Sequence, residues 1–284
     1  MVNVNSSQRD FSTLPHYCTQ AIERFSALAK VLPARLGIPP DFELLLCEMM
    51  QAAVKYALPE NAYIFAEQDF KPWMFDRQEL SHPVCALEFT ATRARHAADS
   101  DLLFADKRIV LCFDPWMLPP EQVARLSRLV DAAFLEDAPR RCLAVMVLYE
   151  ANGAWDAALG VVLIDLDQHH PVVLNNVPDT NPLRTLGDRA AARLRLTTAP
   201  SVHALPAIYR TFPTLSRLAG QSAAAASEAL YIDTLDEVRA AYEFLAAVNS
   251  AQVRTYEVPA PAKLNDKRRR NGKAPFFPYL VLDL

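Results

Sequence analysis

The chain has 284 residues, 51% of them hydrophobic and 22% charged, enough to bury a substantial core, which excludes disorder, collagen and a short disulfide scaffold. Lysine and arginine number 29 against 33 acidic residues, a formal charge of -4, so any binding of nucleic acid or anionic membrane must come from a local patch. Only 6 glycines occur where average usage would give about 20, and they lie too far apart for a G-x-G-x-x-G or Walker loop.

In chain order, Ile22, Phe25, Ala29 and Leu32 recur at helical spacing between Leu14 and Leu32, and Pro33 is expected to end that helix. A second helix starts after Pro39-Pro40 at Asp41. It runs through Leu45, Leu46, Met49 and Val54 to stop before Pro59, with Met49 and Met50 as core residues. From Tyr63 the period shortens, and Tyr63 to Phe65, Val84 to Phe89 and Ile109 to Phe113 read as strands. A helix over Glu121 to Phe134 leads into Leu143 to Tyr149, Ala158 to Leu166 and Val172 to Leu174, an expected antiparallel meander with turns at Asn152-Gly153 and Asp167 to His170.

Prolines interrupt the stretch Pro182 to Gly220, which reads as irregular helix, and Ser222 to Leu230 has high helix propensity. Thr234-Leu235-Asp236-Glu237 has the capping-box form, and the helix after it buries Val238, Ala241, Tyr242, Leu245 and Val248. Strands follow near Val253 to Val258 and over Tyr279 to Leu284. The whole reads as a single α+β domain, 1–284: an N-terminal helical pair, a largely antiparallel central sheet, flanking helices and a C-terminal closing strand. Residues 11–60 are a candidate helical subdomain.

The five cysteines are odd in number, widely spaced and without C-x-x-C, which points to reduced core thiols. No signal-peptide pattern and no apolar run of membrane-spanning length occur, so the expectation is a soluble protein of the cytoplasm. H-E-x-x-H, G-x-S-x-G and C-x-x-C pairs are all missing, and catalysis is not the favoured reading.

Two segments could carry chemistry. In Asp165-Leu166-Asp167-Gln168-His169-His170, strand alternation puts Asp165 and Asp167 on one face with His169 and His170 behind. Carboxylate and imidazole suit a divalent metal ion, and Asp165, Asp167 and His169 would then serve a metal-dependent hydrolase or nuclease. The same residues equally suit a solvated hairpin end, and no cofactor is the favoured expectation. The second segment holds Lys263, Lys267, Arg268, Arg269, Arg270 and Lys273, six cations in eleven residues of an acidic chain. As a solvated loop it would present its arginines to a nucleic acid or to an acidic surface of a protein. Phe276, Phe277 and Tyr279 are placed either to stack on bases or to anchor the last strand.

The ending from Lys263-Leu264-Asn265 through Arg268, Gly272-Lys273, Pro275 and Tyr279 resembles that of uncharacterised proteins of tailed bacteriophages and prophages, K-L-N-x-x-R-x-x-x-G-K-x-P-x-x-x-Y-x-V. His82 to Phe89 and Lys107 to Leu111 are similar to a strand pair of that group. The resemblance implies a phage-encoded accessory protein acting inside an infected bacterium. It leaves open a particle component, nucleic-acid handling or inhibition of host defence, and it assigns no catalytic residue. The favoured expectation is a non-catalytic binding protein whose partner is a host protein or nucleic acid.

Overall fold

A computed structural model describes residues 10–36, 41–65, 79–91, 107–130, 139–151, 153–158, 160–171, 198–206, 227, 229–231 and 233–283. The first helix, α1 (Tyr17–Leu36), turns Cys18, Ala21, Ile22, Phe25 and Ala29 inward. It passes through Pro33 instead of ending there: proline's fixed φ is itself helical, so the ring removes a hydrogen bond without forcing the chain out of the helix. The second helix, α2 (Asp41–Ala52), carries Asp41 and Glu43 in its positive first turn and buries Leu45, Leu46, Met49 and Met50 completely.

The expected continuation of α2 to Pro59 does not occur. Val54–Ala57 is instead a strand, β1, buried along most of its length. Four apolar-rich residues directly after a helix extend its pattern, and periodicity alone cannot separate them from a short buried strand.

The remaining strands are β2 (Val84–Thr90), β3 (Lys107–Phe113), β4 (Cys142–Ala151), β5 (Ala154–Ala157), β6 (Gly160–Pro171), β7 (Thr198–Pro206), β8 (Arg254–Val258) and β9 (Tyr279–Asp283). They form one sheet in the order β7-β6-β4-β3-β2-β1-β9-β8, with β5 paired to β4. β1 runs parallel to both β2 and β9, and every other pairing is antiparallel. The α+β class and the largely antiparallel sheet therefore stand as expected, with β9 between β1 and β8. The β4–β5 turn has Gly153 at φ 77°, the left-handed geometry of a tight hairpin.

Two other expectations are corrected. Tyr63 to Phe65 is not a strand but the exit from a 3-10 turn over Glu60–Ala62. Part of the supposed irregular helix is the strand β7, which ends the sheet, where Pro200 and Pro206 are tolerated because an edge strand need not donate on both sides. Val172 to Leu174 lies outside the described residues.

Alternation along β2 to β4 builds two cores. Cys85, Leu87, Val110, Cys112, Val145 and Val147 face one side, where they meet α4 (Leu235–Val248). Ala86, Ile109, Leu111, Ala144, Met146 and Leu148 face the other, under α1, α2 and α3 (Pro120–Val130). With helices on both faces, the central strands read as continuous apolar runs. All five cysteines are free and buried.

In α4, eleven of fourteen residues are buried, including Glu237, Arg239 and Glu243. The expected capping box does not form. Thr234 Oγ1 donates to Leu230 O at 2.8 Å, and Glu237 pairs with Arg108 of β3. Helical residues already precede Thr234, so its hydroxyl bonds back into that turn. Among the described residues, no helix is long and apolar enough to cross a membrane.

Candidate functional site: a clamped basic helix

The basic segment is not an irregular loop. Ala262–Arg270 forms a helix, α5, preceded by Pro261 and closed by Gly272 at φ 65°. At that end Gly272 N donates to Arg269 O and Lys273 N to Arg268 O, both at 3.0 Å, which satisfies carbonyls the helix leaves open. Lys267, Arg268, Arg269 and Arg270 sit in the last turn, where positive charge complements the helix dipole.

Helical spacing divides these residues. Asn265 and Arg268 face inward and hold the helix to the body. The Asn265 amide donates to Phe276 O at 2.9 Å and accepts from Phe276 N at 2.7 Å. Arg268 Nε donates to Ala274 O, and another guanidinium nitrogen donates to Glu23 Oε1 of α1, each at 2.6 Å. The guanidinium lies 4.2 Å above the Phe276 ring. Arg268 is thus an internal tie, with only 17% of its side chain exposed.

The aromatics are also engaged inside the protein. Phe276 packs against Phe11 and His16, and the Lys55 ammonium lies 3.7 Å over the Phe277 ring. Tyr279 is 1% exposed. Base stacking by this trio, one expectation from the sequence, is therefore replaced by the anchoring role.

Lys263, Lys267, Arg269, Arg270 and Lys273 remain exposed. Arg269 pairs with Asp266 at 2.5 Å, whereas no carboxylate among the described residues forms a salt bridge with Lys263, Lys267, Arg270 or Lys273. Positions 263, 267 and 270 follow i, i+4, i+7 spacing. Three cations therefore share the outer face of α5 over about 10 Å of helix axis.

Beneath this platform lies a set of buried ionisable residues that sequence reasoning missed. Glu88 on β2 is fully buried and accepts from Tyr17 N at 2.6 Å, Cys18 N at 2.9 Å and the Tyr279 hydroxyl at 2.7 Å. Its carboxyl thereby caps the positive end of α1. Lys55 on β1, 2% exposed, donates to Gln51 O and Ala53 O at the negative end of α2. Burial pushes the Glu88 carboxyl above its ordinary range and the Lys55 ammonium below its own. Burial, with Glu88 alongside, also pushes the Cys18 thiol far up, so it is held as an inert thiol.

A lone charge inside an apolar strand run, as in Val54-Lys55-Tyr56 and Leu87-Glu88-Phe89, was the available signal.

The second candidate segment lies on β6, not in the turn expected at Asp167 to His170, and the pairing of β6 with β7 shifts register between Asp165 and His169. Asp165 is buried and its Oδ1 accepts from Asp167 N at 2.9 Å, while the exposed Asp167 accepts from Arg141 at 2.9 Å. Strict alternation is therefore lost, and the two carboxylates differ in burial. The side chains of His169 and His170 lie outside the description. Among the described residues, no group of three or more His, Cys, Asp or Glu side chains is arranged to hold a metal ion.

Comparison with protein-family models, with curated proteins and with solved structures gives no match.

Proposed function

We propose that the chain is a bacteriophage-encoded accessory protein that acts by binding, in the cytoplasm of the infected bacterium, through the outer face of α5. The observation that carries this reading is the division of labour within the helix. Arg268 and Asn265 are committed to the body, whereas Lys263, Lys267 and Arg270 stand in an exposed row without acidic partners among the described residues. The closing residues that resemble phage proteins include the clamp itself, Asn265, Arg268 and Gly272.

An acidic surface on a host protein fits this row better than a nucleic acid does. Phe276 and Phe277 are occupied internally, and Asp266 would repel a continuous phosphate track. The buried Glu88, Lys55, Cys18 and Tyr279 have no exposure through which a substrate could meet them, which supports a structural role for them.

The test is affinity capture from a bacterial lysate with the parent chain and with Lys263→Glu/Lys267→Glu/Arg270→Glu, followed by titration of the identified partner across a salt series. A partner bound by the parent, weakened by salt and lost by the variant, supports the reading. Equal binding by both chains refutes it, and preferential binding of DNA or RNA oligonucleotides moves the reading to nucleic acid. Cleavage of those oligonucleotides with Mg²⁺ or Mn²⁺, abolished by Asp165→Ala, would replace it with a metal-dependent nuclease.

A further inference from the structure

We infer that Asn265 and Arg268 are positioning residues for the α5 contact surface: they touch no partner, and they hold Lys263, Lys267 and Arg270 in one preorganised row. The inference rests on the functional reading above and extends it to how the site is kept ready.

A nine-residue helix is too short to persist alone in water, and α5 buries none of its residues. Its apolar content is Ala262 and Leu264, the latter 39% exposed. Five consecutive residues of the run Asp266 to Arg270 are charged, so like-charge repulsion in the last turn works against the fold. The inward ties supply what the missing apolar stripe does not.

Asn265 makes a two-way pairing with the Phe276 main chain, which fixes the start of the helix to the strand entry. Arg268 fixes its end through Ala274 O, Glu23 and the Phe276 ring. The segment they grip is itself held from below. Thr19 Oγ1 donates to Pro275 O at 3.1 Å, and Phe277 lies under the Lys55 ammonium.

If the clamp opens, the cations keep their charge but lose their common face, and a partner must then order them on binding. Charge and geometry can be separated by salt. Removing a contacting cation lowers the dependence of log affinity on log salt by about one for each charge, whereas loosening the helix lowers affinity at an unchanged slope.

The experiment uses the full chain and a fluorescein-labelled peptide of 20 residues, of glutamate, alanine and leucine, with glutamates at i, i+4 and i+7. Anisotropy titrations at a series of NaCl concentrations compare the parent with Asn265→Ala, Arg268→Lys, Arg268→Gln and Lys263→Ala/Lys267→Ala/Arg270→Ala. Hydrogen exchange of α5 is followed in parallel.

Asn265→Ala changes no charge. Arg268→Lys keeps the charge but not the planar fork or the stacking. Both are expected to weaken binding about three- to tenfold with the parent's salt slope and faster exchange confined to α5 and residues 274–277. Arg268→Gln is expected to behave alike, and the triple variant to lose both affinity and slope.

Parent-like affinity and exchange in Asn265→Ala and Arg268→Lys would overturn the inference while the triple variant still upholds the contact surface. A reduced slope in Arg268→Gln would overturn it too, because Arg268 would then touch the partner. Parent-like binding by the triple variant, or no binding by the parent, would remove the contact-surface reading itself.

Discussion

Replacing Glu88 with alanine tests whether the helical layer is locked to the sheet by one buried carboxyl. The substitution leaves two main-chain N–H groups at the start of α1 and the Tyr279 hydroxyl without their acceptor, all in the interior. Each orphaned buried donor costs about 1–3 kcal/mol, and the vacated volume adds a cavity term. Water entering the space offsets part of this. The expected loss is about 4 kcal/mol, a large share of the 5–15 kcal/mol typical of a folded domain, so the variant should unfold at much lower urea. Glu88→Gln keeps the shape and one acceptor oxygen, and should lose about half as much. Tyr279→Phe removes one donor and should cost about 1 kcal/mol. Because Tyr279 and Tyr17 N share the same carboxyl oxygen, Glu88→Gln and Tyr279→Phe should be non-additive in a double-mutant cycle. The assay is equilibrium urea denaturation with the slope m checked for constancy. A Glu88→Ala variant within 1 kcal/mol of the parent, or strict additivity with Tyr279→Phe, would refute the proposed lock.

Four further outcomes follow, three of them at other sites. Arg239 is 4% exposed, pairs with Glu243 at 2.8 Å and donates to Asn61 O and Ala62 O, so Arg239→Leu should cost about 3 kcal/mol by leaving Glu243 buried without its counter-charge, with the Ile64 N–H still donating to it; thermal denaturation reads it. Gly272→Ala should cost about 1 kcal/mol although nothing lies within 4 Å of the added methyl group, because φ of 65° is itself unfavourable for alanine; urea midpoints check it. His16 is held below its ordinary value of 6.5 by burial first and by Arg268 beside it, against the raising effect of the hydrogen bond that its ring donates to Phe11 O. The unfolded chain therefore binds the proton more readily, and the stability His16 confers is present above pH 6.5 and lost as pH falls through its folded value. His16→Asn, which tolerates the φ of 55°, should flatten that decline in urea midpoints measured against pH. Glu88 acts in the opposite sense: raised from 4.5, its contribution is greatest below that pH and is lost as pH rises through the folded value, so Glu88→Gln should flatten a different limb.

Long apolar-rich elements were legible in the sequence. The stripe Val238, Ala241, Tyr242, Leu245 and Val248 gave α4, and the apolar runs at Val84 and Leu143 gave the central strands. β1 escaped because it has only four residues and follows a helix without punctuation, so no change of period marks it. β7 escaped because two prolines argue against a central strand, and only the sheet order reveals it as an edge. The basic segment was legible as charge but not as helix, since α5 has no apolar stripe from which to infer one.

The local ties of α5 to Ala274 and Phe276 are supported by residues distant in the chain. Glu23 meets Arg268, Lys55 covers Phe277, and Glu88 receives the Tyr279 hydroxyl. Each of these charged side chains acts within α1, β1 or β2, yet each also grips a residue between Arg268 and Tyr279. Local propensity is therefore a poor guide at this end of the chain: the segment's conformation depends on side chains contributed by α1 and by the strands β1 and β2. Two of them, Lys55 and Glu88, also complement opposite ends of α2 and α1, so the interactions that seat the helical layer are the same ones that prepare the platform under the basic helix. A substitution that loosens the docking of α1 or α2 should consequently disturb the C-terminal display before it reaches the far edge of the sheet at β7, whose contacts run through β6 and β4 instead.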